Sequence, residues 1–417
     1  MMNELPAKKE RAAALHTAGF VLLFASQWLI SVLLVRLGGY YDAGIFSIAM
    51  TISNVFAFLA NFGIRSYMLT DVKGKYTLCQ YRGARFLSAA SALCLCAGYV
   101  SVVNSYSGTE RAAIILYLFY TVFNTISEVY FGKIQLIGKL EINAYSNMLR
   151  GIVCFLSFLV SYVIRKSILL SLTLMAASAA AVTLFYDRRQ YVTYTGDRGR
   201  ILAGDYAAGL RLLADCLPIM LTLVLPLITT AIPRQGIQNL LGTELLGYFS
   251  SIFTPTVLIS VTVPAVLQAI LPSISQNWEK RDLKRLRRQM LICYAGIILF
   301  VCLAQIAAML CGAFVLQLVF GAGILQYFPL LYWAIAVTGL SALVALGNQF
   351  LLATHSHKLL LTATFFATCL CAVCAEPFIG KWQLYGATYA LAIAYGAQIC
   401  FQGAAIAWMM RRKGEQR

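Results

Sequence analysis

Long apolar runs alternate with short polar connections along nearly the whole chain. An α-helix needs roughly 20 apolar residues to cross a bilayer, and twelve runs meet this condition. The predicted spans are residues 15–36, 44–64, 84–104, 111–131, 142–164, 168–186, 213–233, 247–271, 290–311, 328–352, 359–379 and 385–409. The pattern therefore predicts an all-α, polytopic membrane protein with about 12 transmembrane helices.

The predicted spans fall into two related halves. The longest polar stretch, residues 187–205, separates six spans from six. The segment Gly247-Tyr-Phe-Ser250 in the second half also repeats Gly44-Ile-Phe-Ser47 of the first. We predict two six-helix bundles with pseudo-two-fold symmetry, over residues 1–190 and 205–417, joined by a cytoplasmic linker over residues 191–204.

Composition and charge agree with a membrane protein. The chain is 60% hydrophobic and 12% charged, whereas soluble domains have about 25% charged residues. Its net charge of +17 would suggest nucleic acid as the partner of a soluble protein. Most of the 33 Lys and Arg residues lie in alternate connections, so the positive-inside rule predicts that both termini lie in the cytoplasm. Nucleic acid is not needed to explain the charge.

The connections on the predicted outer face are very short, such as Arg165-Lys166 and residues 380–383. A membrane enzyme working on that face needs an ordered loop or domain, so we expect no enzyme. All twelve cysteines except Cys79 lie in apolar runs and read as small buried hydrophobes. We therefore expect neither a metal nor a cofactor.

One predicted inner connection, residues 272–289, contains the basic run KRDLKRLRR. We interpret it as an amphipathic helix that lies on the cytoplasmic surface and binds anionic membrane lipids. The alternative is that these charges only set the orientation of the neighbouring spans.

Polar residues recur on single helical faces in three spans of the first half. Charged and amide side chains are costly in hydrocarbon and should face protein or water, so we predict a shared polar interior. The second span carries Ser47, Thr51, Asn54, Asn61 and Arg65, the fourth Tyr117, Thr121, Asn124 and Glu128, and the fifth Asn143, Asn147, Arg150, Cys154, Ser157 and Ser161.

Glu128 and Arg150 lie on neighbouring predicted helices and have several possible roles. They either form a structural ion pair, contact a substrate, or take part in a proton or ion relay. Asp215, in the seventh span, is interpreted as a helix-start carboxylate favoured by the helix dipole. The alternative for Asp215 is an acid that couples transport to an ion.

Four short segments, in order along the chain, resemble the corresponding segments of a known family. They are Asn61-Phe-Gly-Ile-Arg65-Ser-Tyr67; Gln135-x-x-x-Lys139-Leu-Glu141 followed by Ser146-x-x-x-Arg150-Gly151; Pro233-Arg234 with Leu246-Gly-Tyr-Phe-Ser250; and Gly347-Asn-Gln with Ala353-Thr354 and Lys358. With these residues the chain resembles the Wzx-like polysaccharide flippases of the multidrug/oligosaccharidyl-lipid/polysaccharide (MOP) exporter superfamily.

The resemblance implies two bundles that enclose a cavity opening alternately inward and outward, and a lipid-diphosphate-linked oligosaccharide as cargo. It also implies a location in the bacterial plasma membrane. Arginine suits this cargo because a guanidinium binds phosphate bidentately. The candidate coupling ions are Na⁺ and H⁺, and glycan polymerase machinery is a candidate partner. The predicted substrate-binding residues are Arg36, Arg65, Arg150, Arg234, Asn54, Asn61 and Asn124.

Two rival functions stay open at this stage. A cation-coupled multidrug exporter of the same superfamily should have an acidic cavity, and few acids lie within the predicted spans. A membrane glycan polymerase or ligase should show outer-face acids or a large outer loop, and neither is visible in the sequence. Each arginine also has a simpler interpretation as an interfacial side chain that snorkels to the head groups.

Overall fold

The computed structural model describes residues 4–71, 75–102, 106–197, 204–354 and 356–415. Within these ranges every regular element is helical. Eleven helical segments are long and apolar enough to cross a membrane. The predicted all-α, multi-pass membrane fold is confirmed.

By its packing the chain divides into two compact units, Met1–Val224 and Leu225–Arg417. The helices that begin in the first unit are α1 (Glu4–Asn61), α2 (Ile64–Thr70), α3 (Leu78–Val102), α4 (Gly108–Leu136), α5 (Leu140–Arg165), α6 (Ile168–Ala181), α7 (Arg188–Thr195) and α8 (Tyr206–Leu241). A π-helical segment, Val182–Asp187, joins α6 to α7 without interruption.

The second unit contains the end of α8 and six further helices. These are α9 (Thr243–Phe253), α10 (Val257–Glu279), α11 (Leu283–Phe320), α12 (Leu330–Ala353), α13 (His357–Trp382) and α14 (Leu384–Glu415). A 3₁₀ turn, Thr254–Thr256, links α9 to α10 and has Pro255 near its start, where a missing N–H is tolerated.

The first two predicted spans are the two arms of α1. The arms meet at Gly39, which has φ 85° and ψ −178°, a combination that is essentially restricted to glycine. This junction explains why eleven segments are found where the sequence predicts twelve spans, since the segment Ala14–Leu69 contains both arms and α2.

The internal repeat seen in the sequence has a backbone counterpart. Gly242, between α8 and α9, has φ 95° and ψ 167°, close to the conformation of Gly39. Each glycine lies five residues before its copy of the repeated motif, at Gly44 and Gly247. The same glycine turn therefore joins the first two spans of each half.

Small residues bring α1 close to α5 in the first unit. A Cβ on Gly19 would lie 2.7 Å from the Ala144 carbonyl oxygen, and a Cβ on Gly151 would lie 3.2 Å from the Leu23 Cα. Helices in lipid associate through such close backbone approach, because apolar side chains gain little by leaving lipid.

The amphipathic surface helix predicted over residues 272–289 is wrong. Residues up to Glu279 continue α10, a tight turn follows with Arg281 at φ 57°, and α11 begins at Leu283. The basic run covers this turn and the first turns of a spanning helix. Its charge therefore marks the end of two spans, which corresponds to the alternative interpretation.

The boundary between the packed units lies inside α8, beyond the predicted linker. The first turns of α8 belong to the first unit because Leu212 and Cys216 share a buried cluster with Ile64 and Met68. Tyr191–Thr195 of the linker are the end of α7, and residues 198–203 lie outside the described residues. The division into bundles at residues 191–204 stays a prediction.

Replacing Gly39 by Ala puts a Cβ into a backbone conformation that other residues rarely adopt, although the space around it is empty. We expect Gly39→Ala and Gly242→Ala each to cost about 1–3 kcal/mol of stability. The measurement is the melting temperature of the purified protein in detergent.

The matched control is Gly98→Ala. Gly98 lies in the interior of α3, and a Cβ added there would also have no heavy atom within 4 Å, while alanine favours a helix interior over glycine. Its melting temperature should stay equal or rise. If Gly39→Ala leaves the melting temperature as high as Gly98→Ala does, the α1 junction does not require a glycine at position 39.

Candidate functional site

An ion pair between Arg150 and Asp187 lies at the centre of the first unit. Arg150 Nη2 is 2.6 Å from Asp187 Oδ2, and the two side chains are 2% and 1% exposed. The second terminal nitrogen, Nη1, donates to Asn124 Oδ1 at 2.5 Å. Ser127 Oγ accepts from Arg150 at 2.7 Å and donates to Asp187 at 2.7 Å.

Helical spacing places these groups together. Asn124 and Ser127 are three residues apart on α4, and Ser146 and Arg150 four apart on α5, so each pair shares a face. Ser146 Oγ donates to Asp187 Oδ1 at 2.5 Å. Asp187 is the last residue of the π-helical segment that follows α6. Segments of this kind shift the register of a helix, often at functional positions.

Of the three roles left open for Glu128 and Arg150, the mutual ion pair is wrong, since Arg150 pairs with Asp187 instead. The sequence interpretation treated Asp187 only as the first residue of the polar stretch 187–205 and missed its role. Because Arg150 is enclosed by protein groups, it contacts no open surface in this conformation. The geometry favours a structural role in which Arg150 fixes α4, α5 and the π-helical segment relative to one another.

A second ion pair joins Arg65 on α2 to Glu128 on α4. Arg65 Nη1 is 2.6 Å from Glu128 Oε2, and the side chains are 16% and 22% exposed. Arg65 Nη2 donates to Gln135 Oε1 at 2.8 Å, and the guanidinium lies 6.0 Å from the centre of the Phe131 ring. Unlike Arg150, Arg65 keeps part of its surface open.

A glycine on α4 allows this contact. A Cβ on Gly132 would lie 2.8 Å from Met68 Sδ and 3.6 Å from Arg65 Cγ, so a larger residue would require the Met68 side chain to move. The break that frees α2 from α1 consists of Phe62 and Gly63, both with positive φ. The chain therefore turns after the second span, and Arg65 packs against α4.

His16 belongs to the same region and was not singled out in the sequence. It lies within electrostatic reach of Arg65 and Glu128, and its Nε2 atom is buried without a hydrogen-bond partner. Its position at the start of the first predicted span, outside the three polar stripes, gave no sequence signal. The cluster of His16, Arg65, Glu128 and Gln135 is named the Arg65 site below.

Asp215 is not a helix-start carboxylate, because α8 begins at Tyr206. That role belongs to Asp205, which accepts from the Ala208 N–H at 3.1 Å, and this bond lowers the pKa of Asp205. Asp215 instead pairs with Lys75 at 2.6 Å and accepts from the Tyr76 hydroxyl at 2.8 Å. The hydrogen bond to Asp215 raises the pKa of Lys75 above its ordinary value.

Arg234 lies in the second unit, on α8. It is half-buried and lines a cavity of about 160 Å³. Other lining residues are aromatic or carry hydroxyls, among them Phe249, Phe253, Thr256, Ser260, Ser341 and Tyr395. The cavity therefore offers a cation beside hydroxyl groups in an otherwise apolar wall.

The remaining predicted residues are dispersed along α1. Arg36 is exposed near the end of the first arm, and Asn54 is half-buried on the second arm. The backbone carbonyl of Asn61 accepts from Arg85 Nη1 at 3.0 Å. The structure thus brings Asn124 to Arg150 and Glu128 to Arg65. It places Arg36 and Asn54 in neither cluster.

No protein-family model matches this chain. Capsular polysaccharide biosynthesis protein CapF of Staphylococcus aureus is 23% identical over 282 residues, which are 67% of this chain and 69% of that protein.

Solved structures share the fold at low sequence identity. The lipid II flippase MurJ in an inward closed conformation aligns with a TM-score of 0.73 and 11% identity, over 94% of this chain and 87% of MurJ. An inward-facing multidrug resistance transporter of the MATE family aligns with a TM-score of 0.70 and 13% identity, over 94% of each chain. The fold is that of the MOP superfamily transporters, so the fold implied by the sequence resemblance is confirmed.

Breaking the buried ion pair of Arg150 and Asp187 should destabilise the protein. Removing one partner of a buried pair typically costs about 3–5 kcal/mol, so Arg150→Ala and Asp187→Ala should lower the melting temperature of the purified protein strongly. The double change Arg150→Met with Asp187→Leu should cost less than either single change, since no buried charge is left unpaired.

Arg189→Ala is the control, because Arg189 is exposed on α7 next to this network and surface changes usually stay within about 0.5 kcal/mol. An Arg150→Ala protein with the melting temperature of the parent would contradict the structural role.

Proposed function

We propose that this protein is a flippase that moves a lipid-diphosphate-linked oligosaccharide from the inner to the outer leaflet by alternating access, for cell-surface polysaccharide synthesis. The observation that carries the proposal is the Arg65 site, where a partly open guanidinium is held by a carboxylate and an amide. The transporter fold and the likeness to a capsular polysaccharide biosynthesis protein support it.

The chemistry of the Arg65 site suits a diphosphate. Arginine stays charged and presents donors in a fork that matches phosphate oxygens, and charge-assisted bonds of this kind are about twice as strong as neutral ones. Without cargo, the Glu128 carboxylate is paired with the guanidinium of Arg65. An arriving diphosphate takes the place of Glu128, because it offers more oxygens and a higher charge.

This exchange gives Glu128 a second role. Once Arg65 binds phosphate, the carboxylate has lost its counter-charge in a partly buried place, where an unpaired charge is costly. Uptake of H⁺ or Na⁺ restores neutrality, and His16 lies within reach as a second titratable group. Cargo binding and ion binding are therefore coupled through one guanidinium.

The other predicted residues complete the path in this proposal. Arg36 and Arg234 offer further cations for the head group, and Asn54 and Asn61 offer amides for sugar hydroxyls. Asn124 and Arg150 act together, since Arg150 holds the amide of Asn124. The membrane potential favours the outward step, because an anion leaving an inside-negative cell gains about 2.3 kcal/mol per charge per 100 mV.

A multidrug exporter is the main competing function, since a MATE family transporter shares the fold. Exporters of cationic drugs need unpaired acids in the membrane. In the described part of the first unit, Glu128 and Asp187 are both matched by arginines. This charge balance favours an anionic cargo.

Arg65→Ala should reduce flipping of a fluorescent, short-chain lipid-diphosphate disaccharide in proteoliposomes by about 10- to 100-fold, the range expected for loss of a charged hydrogen-bonding group. Arg65→Lys should recover only part of the rate, because ammonium lacks the fork geometry. Arg189→Ala serves as the charge-matched control and should transport normally. Unchanged flipping by Arg65→Ala, with the protein folded, would falsify the assignment of Arg65.

Glu128→Gln tests the coupling step separately. The amide can still accept a bond from Arg65 but cannot take up a proton, so flipping should persist while its dependence on an imposed pH or Na⁺ gradient disappears. The assay is the same proteoliposome experiment with and without each gradient. If the variant keeps the full gradient dependence, coupling does not run through Glu128.

A further inference from the structure

The first unit carries a groove that is separate from the Arg65 site. It lies between α3 and the continuous α6–α7 helix, with α4 as its floor. Its volume is about 440 Å³, within the range of about 300–1,000 Å³ found for small-molecule sites. The apolar part of its lining includes Phe86, Ala89, Phe123, Ile126 and Leu184.

One end of the groove is cationic, with Arg82, Arg85 and Arg188 in its lining. Arg85 is 3% exposed and its Nε atom has no hydrogen-bond partner. Its Nη1 atom donates to the carbonyl of Ala60 at 2.7 Å. Buried donors are rarely left without an acceptor, so this end of the groove is built for a group that accepts hydrogen bonds.

The charges at this end are only partly balanced. Arg82 pairs with Asp197 at 3.1 Å, while its buried Nε also has no partner. Arg188 is half-buried and has no ion pair within the described residues. Among the residues that the structure describes, the lining thus contains three guanidinium groups and no carboxylate, and one of the three is paired with Asp197, which leaves positive charge for an anionic ligand.

The rim of the groove is apolar and open. Phe86 and Leu184 are each 41% exposed, and the neighbouring Phe185 is 77% exposed. Large exposed apolar side chains on a membrane protein face lipid. The groove therefore joins a lipid-facing wall to a cationic end, and this end belongs to the face that the charge pattern predicts to be cytoplasmic.

We propose that this groove binds an anionic phospholipid, with its phosphate at Arg82, Arg85 and Arg188 and an acyl chain along the apolar wall. Basic pockets between helices on the cytoplasmic side are suited to such head groups, and charge-assisted bonds from arginine to phosphate are strong. Arg85 also donates hydrogen bonds to the backbone carbonyls at the end of α1. The bound lipid therefore stabilises the junction between α1 and α2. The proposal does not depend on which cargo is transported.

The test uses the full-length protein in nanodiscs and reads lipid contact rather than transport. Phe86→Trp places a fluorophore at the rim, and quenching is compared for brominated phosphatidylglycerol and brominated phosphatidylcholine at equal content. The signal of the parent protein, which has five Trp, is subtracted. Phe185→Trp, on the open lipid-facing surface, is the control and should be quenched equally by the two lipids.

We expect Phe86→Trp to show a preference for phosphatidylglycerol that falls about fivefold when Arg188→Gln is added, the loss expected for one cation near an anionic head group. Arg189→Gln removes the same charge from the neighbouring exposed position and should leave the preference intact. Arg188→Lys should retain most of it. Melting temperatures confirm that each variant is folded.

Equal quenching of Phe86→Trp by both lipids overturns the proposal. The proposal is also overturned if Arg189→Gln reduces the preference for phosphatidylglycerol as much as Arg188→Gln does. In that case the preference comes from the general positive charge of the surface. If millimolar inorganic phosphate abolishes the preference, the cationic end is a site for soluble anions and the lipid assignment is also overturned.

Discussion

The ion pair of Arg150 and Asp187 is the constraint on which the first unit depends. Two buried charges must neutralise each other, and further hydrogen bonds lower the cost of burying them. Ser127, Ser146 and Asn124 supply such bonds, and within the described residues only the Nε atom of the Arg150 guanidinium has no hydrogen-bond partner. The requirement fixes the rotation of α4 and α5 about their axes and also the register of the π-helical segment. Glu128, one residue beyond Ser127, is thereby held on the α4 surface that meets α2.

The spans were predictable because a bilayer imposes one strong rule, that backbone groups must be satisfied within a helix. The polar stripes were also predictable as faces, since Asn124 and Arg150 do meet. Their partners were not. Asp187 follows an apolar run and precedes basic residues, so it looked like the start of a linker. Asp187 lies inside the bundle only because the π-helical segment shifts the register and the helix continues into α7.

Errors elsewhere in the prediction have a related cause. Hydropathy detects the part of a helix that crosses lipid, and it is blind to polar turns that extend the helix beyond the bilayer. The start of α8 at Tyr206 left Asp215 well inside the helix, and the continuation of α10 to Glu279 removed the predicted surface helix. The turns at Gly39 and Gly242 were easier to anticipate from the sequence. Both precede a repeated sequence motif, and the repeated motif corresponds to a repeated backbone geometry.

Arg65 is carried by α2, a helix of seven residues that is detached from α1 by two residues with positive φ. Ile64 and Met68 of this short helix are buried, whereas Ser66 is exposed. The exposed residues of α2 are therefore free to change during evolution while the bundle beneath keeps its packing. In the flippase proposed above, selectivity for the cargo head group can change through a few substitutions in one small element, without redesign of the membrane core.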